Sequence, residues 1–188
     1  MKEKLGVVNC LYPTLTVLVG ATVRGKPNFT TVSDVGIMTN RSPYPISLGM
    51  TKVNHTNHGI KENKTFSVNI PSEDLVVETD YCGMVSGKET DKSTLFEVFY
   101  GELENVPMIG ECLINMEIRL VRILDFTTHD VFVGEIVQTY CDNKILSGGK
   151  VDLGKLRPLL FDRHGNKYRK IGEEIAECYK VGKVLKKK

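Results

Sequence analysis

Two polar segments contain most of the side chains that could take part in chemistry. One covers residues 28–34 and the other covers residues 49–56. Hydroxyl and amide groups in the first segment could hydrogen-bond the edge of a polar ligand. In the second, Lys52 and Thr56 lie at a predicted helix start, where a cation and free backbone amides can hold a phosphate group. Each segment also has a simpler interpretation, as a polar strand face and as a helix cap respectively, and these alternatives stay open at this point.

Several common signatures of catalytic and nucleotide-binding sites are missing from the sequence. No G-x-G-x-x-G follows a predicted strand. Residues 87–93 are one residue short of a P-loop, and Asp91 stands where the second glycine is needed. The four histidines form no H-E-x-x-H motif, and no G-x-S-x-G occurs. We therefore expect no doubly wound dinucleotide-binding fold, no nucleoside triphosphatase, no metal site and no serine hydrolase.

Composition and charge indicate an ordinary globular protein. The length suits one domain over residues 1–188, and 41% apolar with 26% charged residues argues against disorder. Because the net charge is only +2 and the dense basic cluster is confined to the last residues, we expect no nucleic-acid partner. No stretch approaches the ~20 apolar residues of a membrane helix, so we expect no membrane association. Five separated cysteines without a C-x-x-C pair fit a reducing, cytoplasmic location.

Apolar and polar periodicity predicts that strands outnumber helices. The predicted strands are residues 15–23 and 28–35 as a hairpin, then 45–50, 65–70, 112–120 and 130–140, with a strand-turn-strand unit at 161–168. The predicted helices are residues 56–63, capped by Thr56 or Asn57, and residues 173–179. The short connections favour a closed antiparallel barrel over strands that alternate with long crossover helices, because closure removes exposed sheet edges.

Short motifs occur in a definite order along almost the whole chain. They are Leu11-Tyr12-Pro13, residues 28–33, 49–56, 66–75, 80–87 with Asp91-Lys92, 158–161 and 168–172. Residues 80–87 match the pattern D-x-C-G-x-x-S-G. Together the motifs resemble the flavin reductase-like family, and in particular its flavoredoxin branch.

This resemblance implies a mainly β fold, a split β-barrel of Greek-key antiparallel strands with a few short helices, and a homodimer with FMN near the subunit interface. Residues 30–33 would line the edge of the isoalloxazine ring, and a loop that includes Cys82 and Lys92 would close the site. Lys52, His55 and Thr56 would hold the phosphate. The complete set of implied FMN-binding residues is Asn28, Thr30, Thr31, Val32, Ser33, Met50, Thr51, Lys52, His55, Thr56, Cys82, Gly83, Ser86, Gly87 and Lys92.

His129 is the candidate catalytic residue. It lies within residues 128–135, which resemble a family segment whose histidine lies near both the flavin and the nicotinamide donor. The simpler interpretation is a surface histidine at the start of a strand.

Two functions are compatible with the resemblance. The first is a flavin-dependent oxidoreductase that takes hydride from NADH or NADPH. The second is a non-enzymatic carrier whose bound FMN exchanges electrons with a redox protein partner, and the flavoredoxin resemblance favours it. A barrel that binds no flavin and serves only as an interaction module fits the composition, but it leaves the ordered motifs unexplained.

Overall fold

A seven-stranded sheet dominates the computed structural model, which describes residues 1–187. The strands are β1 Thr14–Leu15, β2 Val17–Val23, β3 Lys26–Val32, β4 Val35–Ile37, β5 Pro45–Thr51, β6 Thr65–Ile70, β7 Val98–Phe99, β8 Met108–Ile109, β9 Ile114–Asp125, β10 His129–Cys141, β11 Leu146–Ser147, β12 Lys150–Val151, β13 Leu160–Asp162 and β14 Lys167–Arg169. The helices are α1 Thr56–Asn63, α2 Val76–Met84 and α3 Leu153–Leu156, with 3₁₀ segments at Glu73–Leu75, Lys92–Leu95, Asn143–Ile145 and Val181–Lys187. Within the described residues, each helix is too short or too polar to cross a membrane.

The large sheet curls into a barrel that remains split. Its order is β3-β2-β6-β9-β10-β5-β4, and all its pairings are antiparallel. Side chains from well-separated strands, such as Val19, Leu48, Phe66 and Phe132, meet in one buried core. In residues 1–187, the end strands β3 and β4 do not pair with each other. The mainly β split barrel is therefore confirmed, whereas the full closure expected from strand spacing is wrong.

Two hairpins supply much of the sheet. β2 pairs with β3 from Val17 opposite Val32 to Val23 opposite Lys26, as the sequence predicts. β9 and β10 pair over nearly their whole length. β9 begins after its predicted start at residue 112 and continues past its predicted end at residue 120, whereas β10 extends beyond both of its predicted bounds. The single strand predicted for residues 28–35 is wrong, because the chain leaves β3 after Val32 and then pairs with β5 as β4.

Helix α1 begins where the sequence predicts, but its first residues do not cap it. The N-cap position is His55, which makes no side-chain cap hydrogen bond. The Thr56 hydroxyl instead accepts a hydrogen bond from Asn28 Nδ2 at 2.7 Å, and Asn57 Nδ2 donates to the carbonyl of Thr51 at 2.9 Å. Both side chains are buried, and both hydrogen bonds join the helix start to neighbouring strands. The predicted capping roles of Thr56 and Asn57 are therefore wrong.

The chain after β14 differs from its prediction. The helix expected at residues 173–179 is absent from the described structure, and a 3₁₀ segment forms at Val181–Lys187 instead. Ile175 and Tyr179, which would have supplied the apolar face of that helix, are almost fully exposed. A short helix that buries no apolar face has little to stabilise it, which explains the failed prediction.

Candidate functional site

An open cleft of about 420 Å³ lies at one end of the barrel, where several separate chain segments meet. Its volume is within the range of about 300–1,000 Å³ that is usual for small-molecule sites. The cleft is lined by Thr30, Thr31, Val32, Ser33, Asp34, Gly49, Met50, Thr51, Val53, Asn54, His55, Gly83, Met84, Val85, Ser86, His129 and Arg163.

The wall formed by β3 is attached to helix α2. The Thr31 hydroxyl donates a hydrogen bond to the carbonyl oxygen of Thr79 in α2. A Cβ added at Gly83 would lie 3.3 Å from the Thr31 Cβ, a tight contact for a side chain. Glycine at this position therefore allows the end of α2 to approach β3 closely, and the two elements form one side of the cleft.

The opposite wall combines the end of β5 with the start of β10. His129 is the antiparallel partner of Thr51 in this ladder. The Thr128 hydroxyl lies 2.8 Å from His129 Nδ1, so that nitrogen is engaged and Nε2 is the one available to a ligand. The backbone N–H of Gly49 donates to the carbonyl of Asp34 at 2.8 Å, which connects β5 to the segment after β3.

A buried ammonium group hydrogen-bonds the backbone at the end of α2 and the start of the following loop. Lys92 is only 2% exposed, and its Nζ donates to the carbonyl oxygens of Cys82 at 3.0 Å and Val85 at 3.1 Å. Burial lowers the pKa of Lys92. Burial also raises the pKa of the Cys82 thiol to about 11, so the thiol is protonated near neutral pH. Neither side chain lines the cleft, and Lys92 acts on it through the loop backbone.

A second, larger groove of about 990 Å³ adjoins the cleft, and His55 is the residue that lines both. The groove contains positive and negative side chains. The positive ones are Arg24, Lys26 and Lys88, and the negative ones are Glu62, Glu89 and Asp91. Asn28 and Gly87 also line it, and a Cβ at Gly87 would lie 2.0 Å from Asn28 Oδ1. Only glycine fits there without a shift of one of the two segments.

The surroundings of His55 lower its pKa. Burial lowers the pKa of His55, and the nearby His58, Lys88 and Arg24 lower it further. Its Nδ1 is buried and has no hydrogen-bond partner among the described residues. The unpartnered Nδ1 can hydrogen-bond a ligand, and the nearby Lys88 and Arg24 favour an anionic one.

The structure brings together many, but not all, of the residues proposed from the sequence. The cleft collects Thr30, Thr31, Val32, Ser33, Met50, Thr51, His55, Gly83, Ser86 and His129. Asn28 and Gly87 lie in the adjoining groove. Lys52 lines neither cavity, and its Nζ is paired with the exposed carboxylate of Asp125. Thr56, Cys82 and Lys92 are buried behind the walls.

Sequence reasoning missed several residues that line the cleft. They are Asp34, Gly49, Val53, Asn54, Met84, Val85 and Arg163. Most of them are neighbours of predicted residues, so they follow once the segment is known. Arg163 is different, because it comes from the turn between β13 and β14. The turn is visible in the sequence as Asp-Arg-His-Gly-Asn, but nothing in the sequence indicates that it lies beside β3.

The sequence profile described as "Flavin reductase like domain" matches residues 9–172 of this chain. The chain belongs to the flavin reductase-like family. A flavoredoxin structure from Methanosarcina acetivorans is 44% identical, with a TM-score of 0.92 over 98% of this chain and 100% of that chain. The flavoredoxin of Desulfovibrio vulgaris (Miyazaki F) is 31% identical, with a TM-score of 0.89 over 97% of this chain and 100% of that chain. An uncharacterized protein from Archaeoglobus fulgidus is 31% identical over 137 residues, which is 72% of this chain and 76% of that protein.

These similarities confirm the resemblance inferred from the ordered motifs, both to the flavin reductase-like family and to its flavoredoxin branch. The family match covers β1 to β14, and so includes every strand that contributes to the cleft. The β13–β14 turn with Arg163 is therefore part of the family domain.

Proposed function

We propose that this chain is an FMN-binding flavoprotein of the flavoredoxin and flavin reductase type, with the flavin in the cleft and its phosphate beside His55. One observation carries this proposal. His55 joins the cleft to the groove, has a buried Nδ1 without a partner among the described residues, and lies near Lys88 and Arg24. A phosphate dianion would give Nδ1 a hydrogen-bond partner and would lie near these two cations. The similarity to two flavoredoxins supports the same cofactor.

The residues around His55 suit a phosphate. At the start of α1, the backbone N–H groups of Asn57 and His58 already donate to the carbonyl oxygens of Asn54 and His55, each at 3.2 Å. Thr56 would contribute its backbone N–H, since its hydroxyl accepts a hydrogen bond from Asn28. Lys52 is 39% exposed and would reach the phosphate only by leaving Asp125. We therefore assign it a supporting role.

The ring of the flavin would lie along β3. Thr30, Thr31, Val32 and Ser33 would contact its edge, with Met50 and Thr51 on the facing wall. Gly83 and Ser86 would contact it from the loop after α2, whose backbone Lys92 holds through the carbonyls of Cys82 and Val85. When bound, FMN accepts electrons in pairs as hydride or one at a time, and the protein needs only to bind, orient and shield it.

The source of the electrons separates the two candidate activities. His129 at the rim, with Nε2 available, supports a reductase in which this histidine positions NADH or NADPH. The 44% identity to a flavoredoxin supports a carrier that exchanges electrons with a redox protein partner. We rank the reductase first, because His129 lines the cleft and keeps Nε2 available to a donor.

The remaining features of the proposed protein are its assembly and its location. We propose a homodimer, since residues at both chain ends, including Val7, Leu11, Ile175 and Leu185, expose large apolar side chains that a second copy could bury. We also propose that residues 1–188 form a single domain. The five cysteines are all free thiols, which suits a cytoplasmic location.

Spectroscopy tests the cofactor proposal directly. Protein purified without added flavin should be yellow, and the apoprotein should quench FMN fluorescence and gain thermal stability on titration. Riboflavin should bind at least tenfold more weakly than FMN, because it lacks the phosphate that His55 would contact. A colourless protein whose melting temperature does not change with FMN would refute the proposal, and equal affinities would refute the phosphate site.

A further inference from the structure

Arg163 lies on a turn whose shape is fixed on both sides. The Asp162 carboxylate accepts hydrogen bonds from the Gly165 backbone N–H at 3.0 Å and from the Arg169 guanidinium at 2.9 and 3.1 Å. The Tyr12 ring packs edge-on against His164, with centroids 6.0 Å apart. The backbone that carries Arg163 is therefore held in place, although its own side chain is exposed.

The guanidinium of Arg163 lines the cleft without a partner. Among residues 1–186, whose side chains are described, no carboxylate lies within ion-pair distance of it, and no side chain or backbone group hydrogen-bonds to it. Asp34 is the one carboxylate that lines the same cleft. By contrast, Arg157 and Arg169 in the same region are both in ion pairs. Arg163 is thus an exposed cation on a fixed turn, and none of the described anions pairs with it.

Arg163 comes to the cleft from a different part of the fold than the proposed phosphate position at the start of α1. β13 pairs with β1, with Phe161 opposite Thr14, and β1 leads into β2 at the end where Val17 pairs with Val32. Arg163 lines the cleft but not the adjoining groove beside His55, so we do not assign it to the phosphate of FMN.

An exposed arginine at the rim suits a ligand that arrives and leaves. Its planar guanidinium can donate two parallel hydrogen bonds to phosphate oxygens. NADH and NADPH both carry a diphosphate, which gives such a cation an anionic target close to the reactive ring. We propose that Arg163 binds the diphosphate of the nicotinamide dinucleotide and so directs its nicotinamide into the cleft beside His129. This inference rests on the proposed function, in which FMN occupies the inner part of the cleft.

Anaerobic stopped-flow mixing of the FMN-loaded protein with a series of NADH or NADPH concentrations tests the inference. In Arg163→Gln, the dissociation constant for the donor should rise at least tenfold, while the limiting rate of flavin bleaching changes less than twofold. Arg163→Lys should recover part of the affinity. Added salt should weaken donor binding in the wild type more than in Arg163→Gln. Arg119→Gln, which removes another exposed and unpaired arginine, is the matched control and should match the wild type.

FMN affinity is measured by fluorescence in every variant. It separates failure of the Arg163 inference from failure of the proposed FMN-binding function. Unchanged FMN binding with an unchanged donor dissociation constant in Arg163→Gln would overturn the inference and leave the cofactor proposal intact. The same holds if a reduced ferredoxin-like protein bleaches the flavin while neither nicotinamide nucleotide does so. If the wild type binds no FMN, the proposed function fails and the inference fails with it.

Discussion

Replacing Lys92 by methionine should destabilise the protein and weaken the binding of FMN in the cleft. Methionine keeps an unbranched side chain of similar length but leaves the carbonyl oxygens of Cys82 and Val85 without their donor. Two hydrogen bonds from a charged group contribute about 3–6 kcal/mol before the cost of burying the ammonium is subtracted. Burial lowers the pKa of Lys92, which shows that burying its charge has a cost. We therefore expect the free energy of unfolding to fall by about 2–4 kcal/mol in the variant. For a chain of this size the loss corresponds to a fall of roughly 5–15 °C in Tm.

Thermal unfolding of the apoprotein, followed by circular dichroism, measures this effect. Lys150→Met is the matched control, because Lys150 is exposed on β12, and its Tm should stay within about 2 °C of the wild type. FMN titration should show weaker binding in Lys92→Met, since residues 83–86 line the cleft. A Tm equal to that of the control would show that the two hydrogen bonds do not stabilise the fold. A lower Tm with unchanged FMN affinity would refute the positioning role of Lys92.

Three further perturbations address the cleft. His55→Gln should reduce the affinity for FMN about tenfold but that for riboflavin little, and equal losses in fluorescence titrations would count against a phosphate contact. Because the pKa of His55 is lowered on folding, the unfolded chain binds more protons, so the Tm of the apoprotein should fall as pH drops below 6.5, and His55→Gln should flatten that fall. His129→Ala should slow flavin bleaching by NADH or NADPH without changing FMN affinity, and a matching loss of FMN affinity would point to a cofactor contact instead. Gly87→Ala should weaken FMN binding about tenfold, because its Cβ would lie 2.0 Å from Asn28 Oδ1, whereas Gly172→Ala meets no atom within 4 Å and should bind normally.

Local patterns in the sequence were sufficient to predict most strands. The alternation around Thr65–Ile70 and along β9 produced strands in the structure, and the polar turn before Pro27 produced the β2–β3 hairpin. The alternation of apolar and polar residues is a local property of the sequence. Burial of the apolar face stabilises the strand at any position in the sheet. The helix expected at residues 173–179 failed because its apolar residues found no surface to cover.

The sequence alone also determined which segments could form the site. It shows the polar groups in residues 28–34 and 49–56 and the D-x-C-G-x-x-S-G loop. Only the tertiary structure decided what each charged side chain does. Lys52 and Lys92 look alike in the sequence, yet one pairs with Asp125 at the surface and the other is buried beneath the α2 loop. Arg163 reaches the cleft because β13 pairs with β1, a contact between residues far apart in the chain. Such assignments depend on long-range pairing, which sets the partner of a charge, and on burial, which sets the cost of its desolvation. Neither the partner nor that cost can be calculated from neighbouring residues in the sequence.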